Sequence, residues 1–320
     1  MSVLLKVEGL TVAFESNGKR LLAVNDANLE ILQGEIFGLA GESACGKTTL
    51  ASSILRLIKP PGRILKGRVV FDGVDLLSLD EEEFRKIRWE KIAYIPQASM
   101  NALNPVMRIY DQILDVVKAH RKDFSEDEIR KRAEEIFASV GLAPDVLKMY
   151  PHELSGGMRQ RVIIAMSLIL NPKLLIADEP TTALDVVVQR GIIQLLKEIN
   201  MKFGTTVLLI THDMAVHAQI VDRLAIMYAG KIVEIGPVKE MFEKPLHPYT
   251  QLLIASIPRA GEKRKLAGIP GLPPDLRNPP PGCMFHPRCP FMIQGKCVRV
   301  EPVLQQVAIN RKVACHLYKG

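Results

Sequence analysis

The stretch that most constrains this chain is IFGLAGESACGKTTLASSIL, residues 36–55. A short apolar run, Ile36 to Ala40, leads into Gly41-x-x-x-x-Gly46-Lys47-Thr48, and a helical pattern follows. In this strand–loop–helix context the pattern is a phosphate-binding loop. Its glycines let successive backbone N–H groups curl around phosphate oxygens, and the helix that follows turns its positive end toward them. Lys47 is spaced to reach β- and γ-phosphates, and the Thr48 hydroxyl to bind Mg²⁺. Glu42, Ser43, Ala44, Cys45 and Thr49 complete the nucleotide-contacting set. Ala44 stands where many such loops carry glycine, so its backbone must accept the bend with a Cβ present. Cys45 sits near a helix N-terminus, a setting that tends to lower a thiol pKa. The simpler reading of Cys45 is a small, tolerated side chain.

A hydrolase of nucleoside triphosphates also needs a metal-organising acid and a means of activating water. KLLIADEPTTALD supplies both, because the apolar run Leu174 to Ala177 ends in Asp178 and Glu179. Asp178 suits the Mg²⁺ role, and Glu179 the role of general base on the attacking water. TTVLLITHDM repeats the design, ending a β-branched strand in Thr211-His212-Asp213, where doubly wound sheets put ligand-contacting residues. His212 is the expected γ-phosphate contact. In ELSGGMRQRVIIAMSLIL, Ser155 can cap a helix, and Gly156-Gly157 leave its first turn open to a second anion. A double glycine would only weaken a helix that needed nothing but a cap.

LSGGMRQR shortly before the acidic strand, with the phosphate loop upstream and His212 downstream, resembles the ATPase subunit of an ABC transporter. The resemblance implies further roles. Gln97 in IAYIPQ matches the glutamine that senses Mg²⁺ and contacts membrane subunits, and Asp185 in ALD matches the D-loop residue. Phe14 is the aromatic for stacking on adenine, with a strand-core role as the alternative. The family's active form is a dimer in which Ser155-Gly156-Gly157 of one chain closes over the phosphate loop of the other. KPLHPYTQLLIASIP followed by PGCMFHPRCP resembles the extension of dipeptide and oligopeptide importer ATPases, which nickel importers share. That implies ATP and Mg²⁺ as ligands, with a second, related ATPase subunit or a second copy as partner. It also implies two membrane permeases, an extracellular peptide-binding protein, and a peripheral place on the cytoplasmic face of the membrane.

The expected fold class is α/β: a P-loop ABC ATPase core with an antiparallel β-subdomain and a helical subdomain, plus a small cysteine-containing C-terminal extension. Residues 3–35 alternate in strand fashion, and residues 98 to about 170 read as helices, with Ser125-x-x-Glu128 as a capping box. DRLAIMYAGKIVEIG reads as a hairpin with Ala-Gly at its turn. The ATP-binding domain is expected over 1–257 and the extension over 258–320. The break near 258 rests on composition: ten of the 21 prolines fall between Pro258 and Pro302, and eleven Lys/Arg face three Asp/Glu from Arg259 onward. A basic, proline-rich appendage suits RNA, an anionic membrane surface, an acidic partner or plain solvent. One cassette without a long heptad run speaks against ribosome- or DNA-directed ABC ATPases, so no nucleic acid is expected.

The longest apolar runs, such as VIIAMSLIL at 162–170, fall short of the roughly 20 residues that span a bilayer. With no signal-like N-terminus, a cytosolic setting with reduced thiols is expected. The tail nevertheless holds four of the five cysteines, Cys283, Cys289, Cys297 and Cys315, spaced C-x5-C-x7-C-x17-C. That is not the tight pairing of zinc ribbons. Separated thiolates on proline-stiffened loops suit a structural [4Fe–4S] cluster. Zinc, with His286 or His316 replacing a cysteine, is the alternative.

Overall fold

The computed structural model describes residues 2–16, 18–97, 99–257 and 268–318. In chain order, Val3–Ser16 (β1), Lys19–Leu32 (β2), Ile36–Ala40 (β3), Lys47–Ile54 (α1), Gly62–Phe71 (β4) and Val74–Asp75 (β5) come first. Then follow Glu81–Ile87 (α2), Ile92–Ile95 (β6), Ile109–His120 (α3), Glu126–Ser139 (α4), Gly156–Leu168 (α5), Leu174–Asp178 (β7), Val186–Phe203 (α6) and Thr206–Ile210 (β8). Met214–Ile220 (α7), Arg223–Tyr228 (β9), Lys231–Pro237 (β10), Val238–Glu243 (α8), Pro248–Ala255 (α9), Gln305–Ala308 (β11) and Arg311–Val313 (β12) complete the order. The chain divides into two compact units, Met1–Ser78 with Ile210–Gly320, and Leu79–Leu209.

The first unit carries an antiparallel sheet in the order β2-β1-β4-β5. Residues 62–75, beyond the 3–35 stretch expected to alternate in strand fashion, fold back onto this sheet, with β4 pairing Phe71 with Leu5 and Gly62 with Phe14 of β1. The half-buried Phe14 ring lies over Gly62, where a Cβ would come within 2.5 Å of it. The same unit orders β3, β9, β10, β12 and β11 side by side. β3 is buried at all five positions and runs parallel to β9, which is why IFGLA reads as a continuous apolar run without alternation. β9 and β10 form the expected hairpin. Ala229 (φ 49°) and Gly230 (φ 82°) both take positive φ, as a two-residue turn matched to strand twist requires.

The tail joins this unit. β12 pairs with β10, placing Val313 opposite Glu234. Glu234 is fully buried and accepts the backbone N–H groups of Leu246 and His247, both at 2.9 Å, and an Arg311 guanidinium N–H at 2.5 Å. His247 then caps α9, its Nδ1 accepting the Tyr249 N–H at 3.0 Å.

In the second unit β8, β7 and β6 are neighbours, with β6 and β7 parallel and Tyr94 opposite Ile176. Four of its helices, α2, α4, α5 and α6, start where a side chain satisfies orphan N–H groups, while α3 begins at Arg108 without a side-chain cap. The expected box at Ser125 and Glu128 opens α4, and Asp80 with Glu83 builds another at α2. Among the described residues no helix is long and apolar enough to cross a membrane.

His247 sets a pH dependence. Complete burial pushes its imidazole down to about 3. The unfolded chain takes up a proton near pH 6.5, which the folded chain refuses until about 3, so stability falls as pH drops through that window. At pH 5 the loss relative to pH 7 should be about 2 kcal/mol. Urea unfolding at both pH values should show this loss, and His247→Asn, which keeps a capping acceptor, should remove most of the slope.

Candidate nucleotide-binding site

The first unit holds the phosphate loop between β3 and α1. Gly41 (φ 154°) and Gly46 (φ 110°) both lie where side chains are penalised, and space forbids them as well. A Cβ on Gly41 would sit 2.1 Å from the Met227 carbonyl oxygen in β9, and one on Gly46 2.2 Å from the Ala23 carbonyl oxygen in β2. Ala44 does adopt a left-handed conformation (φ 62°) with its Cβ in place. Ser43, Ala44 and Thr48 are exposed, and Thr49 is half-buried.

Lys47 is buried, and its ammonium group donates to the carbonyls of Gly41 (2.8 Å) and Glu42 (3.0 Å). The cation is therefore held in the mouth of its own loop, with 3.7 Å to the Cys45 sulfur. The expected lowering of the Cys45 pKa does not occur. Burial raises it, and the nearby Lys47 charge only partly offsets that effect. Cys45 is a packed thiol whose carbonyl accepts the Gly230 N–H at 2.9 Å, tying the β9–β10 turn to the loop.

His212 is exposed in the step between β8 and α7. The neighbouring Asp213 caps α7 through the N–H groups of Ala215 (2.8 Å) and Val216 (3.3 Å).

The second unit holds the remaining candidates. Asp178 is completely buried at the end of β7, where the Tyr94 hydroxyl donates to its Oδ2 at 3.3 Å. Glu179 takes a positive φ of 51°, uncommon for a non-glycine residue, and accepts the Thr182 hydroxyl at 3.0 Å. Gln97 is exposed just beyond β6. Ser155 caps α5 through the Met158 N–H at 3.3 Å. Gly157 answers to packing as well as to an open backbone, because a Cβ there would meet Val188 Cγ1 of α6 at 2.7 Å. Asp185 caps α6 through the N–H groups of Val187 (3.0 Å) and Val188 (2.9 Å). Ser155 and Asp185 thus begin two helices that pack together. Val186 and Val187 beside them are 81% and 82% exposed.

In the tail, burial pushes the Cys283 thiol up to about 11. The Phe285 amide opposes that rise, while the Cys297, Cys315 and Cys289 thiols reinforce it. Burial likewise raises Cys289 and Cys315, against the amides of Phe291 and Leu317. The Ile293 N–H points to the Cys297 sulfur at 3.4 Å. The four thiols therefore share one electrostatic neighbourhood. Among the described residues, however, no group of three or more His, Cys, Asp or Glu side chains is placed to hold a metal ion. His286 donates from Nδ1 to the Cys283 carbonyl at 2.9 Å, and His316 from Nε2 to the Val300 carbonyl at 2.8 Å.

Sequence reasoning missed Tyr94, Tyr228, Tyr249 and Arg288. The Glu42 N–H donates to the Tyr249 hydroxyl at 2.8 Å, and Arg288 grips the Glu42 carboxylate. The only available signal was that Tyr249 and Arg288 fall inside the two tail segments that carry the family resemblance.

Residues 24–182 match the family described as ABC transporter, and residues 233–297 match the oligopeptide/dipeptide transporter C-terminal region. The chain is 44% identical over 321 residues to the dipeptide transport ATP-binding protein of Caldanaerobacter subterraneus subsp. tengcongensis, covering all of this chain and 98% of that one. It is 44% identical over 296 residues to the oligopeptide transport ATP-binding protein OppD of Bacillus subtilis, covering 91% and 82% of the two. Among solved structures, a dimeric ATP-binding cassette in a post-hydrolysis state with ADP and Pi is similar at a TM-score of 0.65 and 32% identity, over 73% of this chain and 99% of that one.

The crowding around Gly46 yields a direct expectation. Gly46→Ala must move either the loop or Ala23, at a cost of about 1–3 kcal/mol of backbone strain alone. Equilibrium titration should find Mg·ATP affinity reduced by at least about tenfold. Unchanged affinity would mean that the loop does not hold the phosphates in this conformation.

Proposed function

This chain belongs to the ABC transporter family, and we propose that it is the ATP-hydrolysing subunit of an importer of di- or oligopeptides. The single observation that carries the reading is the phosphate loop, two of whose glycines could not carry a Cβ and whose lysine is already folded into the mouth. The match of residues 233–297 to the oligopeptide/dipeptide region favours peptides over nickel as cargo. The similarity to peptide-import ATP-binding subunits supports a partnership with two permeases and a peptide-binding protein. The lack of a membrane-crossing helix among the described residues is compatible with a peripheral place on the cytoplasmic face.

In this reading the backbone N–H groups of Gly41 to Thr49 and the Lys47 ammonium bind the β- and γ-phosphates of ATP. Phe14 stacks on the adenine. Thr48 of the first unit, and Asp178 and Gln97 of the second, are the residues that would hold Mg²⁺, which would neutralise phosphate charge when bound. The Asp178 carboxylate suits a cation, being wholly buried at a strand end. Glu179 accepts the proton of the water that attacks the γ-phosphorus. A new P–O bond forms, the bridge to the β-phosphate breaks, and ADP leaves. His212 contacts the γ-phosphate. Ser155, Gly156 and Gly157, with Asp185 beside them, act on the phosphates held by a second cassette. The exposed valines 186 and 187 at that corner support burial against another chain.

Glu179→Gln should leave Mg·ATP binding intact and lower steady-state hydrolysis by at least about two orders of magnitude, the scale of a lost general base. It should also accumulate an ATP-bound dimer in size-exclusion chromatography. Near-normal turnover would remove Glu179 from this role.

For the tail we propose that Cys283, Cys289, Cys297 and Cys315 ligate an iron–sulfur cluster that serves structure rather than catalysis. The shared neighbourhood of the four thiols and the amides beside them favour this reading, since N–H groups aimed at sulfur stabilise thiolate ligands. Against it stands the lack, among the described residues, of a group already placed for a metal. Protein purified without oxygen should be brown and hold about four irons per chain. One equivalent of zinc in colourless protein would favour the zinc alternative, and no metal at all would leave the four as packed thiols.

A further inference from the structure

A carboxylate is an unexpected neighbour for polyphosphate, yet Glu42 directly follows the first glycine of the phosphate loop. Left alone it would repel the ligand. It is not alone, because Arg288, 246 positions away in the tail, forms a two-pronged pair with it. Nη1 donates to Oε2 at 2.7 Å and Nη2 to Oε1 at 3.0 Å. The Arg288 side chain is 4% exposed and that of Glu42 24%. The rest of the guanidinium is committed as well, through Nε to the Pro270 carbonyl (2.8 Å) and Nη1 to the Tyr228 hydroxyl (3.3 Å). Gly271, with φ 73°, leaves room for the Arg288 stem, since a Cβ would meet its Cγ at 3.3 Å. A fork so fixed cannot be replaced by a lysine without losing its geometry.

The grip reaches the phosphate-binding lysine through one residue. Glu42 is held at its side chain by Arg288 and at its N–H by Tyr249, and its carbonyl accepts the Lys47 ammonium at 3.0 Å. Beneath it, Tyr228, Tyr249 and Phe285 pack ring against ring with centroids 4.6–5.4 Å apart, all fully buried. The orientation of the Glu42 peptide, and with it the position of Lys47, is therefore set from the tail.

We propose that Arg288 is a positioning residue for ATP binding: through Glu42 it orients the phosphate loop and Lys47, and it neutralises a carboxylate that would otherwise repel the phosphates. This rests on the reading of residues 41–48 as the ATP phosphate loop. It makes the cysteine-bearing loop, of which Arg288 is part, a determinant of nucleotide affinity.

The test uses the full chain, Mg·ATP titration, steady-state hydrolysis and thermal melting. Arg288→Gln should raise the Kd and KM for ATP about tenfold, the scale of coupling between contacting residues, with kcat within about twofold. Adding Glu42→Gln to it removes the unpaired charge and should recover affinity to within about threefold of the parent. Arg288→Lys, which also serves should Arg288→Gln fail to fold, should fall between the parent and Arg288→Gln. If ATP affinity is unchanged in folded Arg288 variants, or if Glu42→Gln gives no recovery, the proposal is overturned and the pair is a structural staple only. A parent protein that does not bind Mg·ATP, or a Lys47→Ala variant that binds as well as the parent, would instead overturn the underlying reading of the loop.

Discussion

The first unit is organised around two carbons that are missing. With no Cβ on Gly41 or Gly46, the main chains of β9 and β2 approach the phosphate loop until Met227 and Ala23 carbonyls fill the space. That approach lets the β9–β10 turn bond the loop through Gly230 and Cys45 while its Gly230 carbonyl accepts the Asn25 N–H at 2.8 Å. A loop that must present N–H groups to an anion cannot spend them on regular secondary structure, so its stiffness has to come from its neighbours. Here those neighbours are two strands, one turn and the tail.

Magnitudes separate the charge pairs that hold this arrangement from those that decorate it. Glu15 meets Arg20 and Arg63 on the surface, where all three side chains are about 40–60% exposed, and solvent screening leaves such pairs little net effect on stability. Arg288–Glu42 and Arg311–Glu234 are different. Both arginines are about 95% shielded and Glu234 is wholly buried, so removing one partner strands a charge at a cost of about 3–5 kcal/mol. Both buried pairs link the tail to the rest of the first unit, one at the phosphate loop and one at β10. The tail is thus fastened by its charges as well as by the pairing of β12.

Much of this was legible in the sequence because local chemistry dictated it. The strand–loop–helix context of GESACGKT, the Ala-Gly turn at 229–230 and the Ser125–Glu128 cap each depend on residues a few positions apart. The parts that were not legible depend on contacts distant in sequence. GRILKGRVVF returns to pair with β1, though nothing in its own pattern names that partner. Gly157 is small because Val188 of another helix occupies its Cβ position. Cys45 has a raised pKa because desolvation outweighs the adjacent cation, which depends on what surrounds it rather than on its place before a helix. Arg288 and Glu42 lie 246 positions apart, and no local rule connects them.

The central claim is that the phosphate loop and the tail form one cooperative unit joined at Glu42. Native-state hydrogen exchange in low concentrations of denaturant tests it directly, because amides that open together converge on a single free energy. The Glu42 amide, bonded to the Tyr249 hydroxyl, should open with the same free energy and denaturant dependence as the Cys283 amide, bonded to the Cys297 carbonyl. A Glu42 amide that exchanges through small, denaturant-independent fluctuations while Cys283 stays protected would contradict the account.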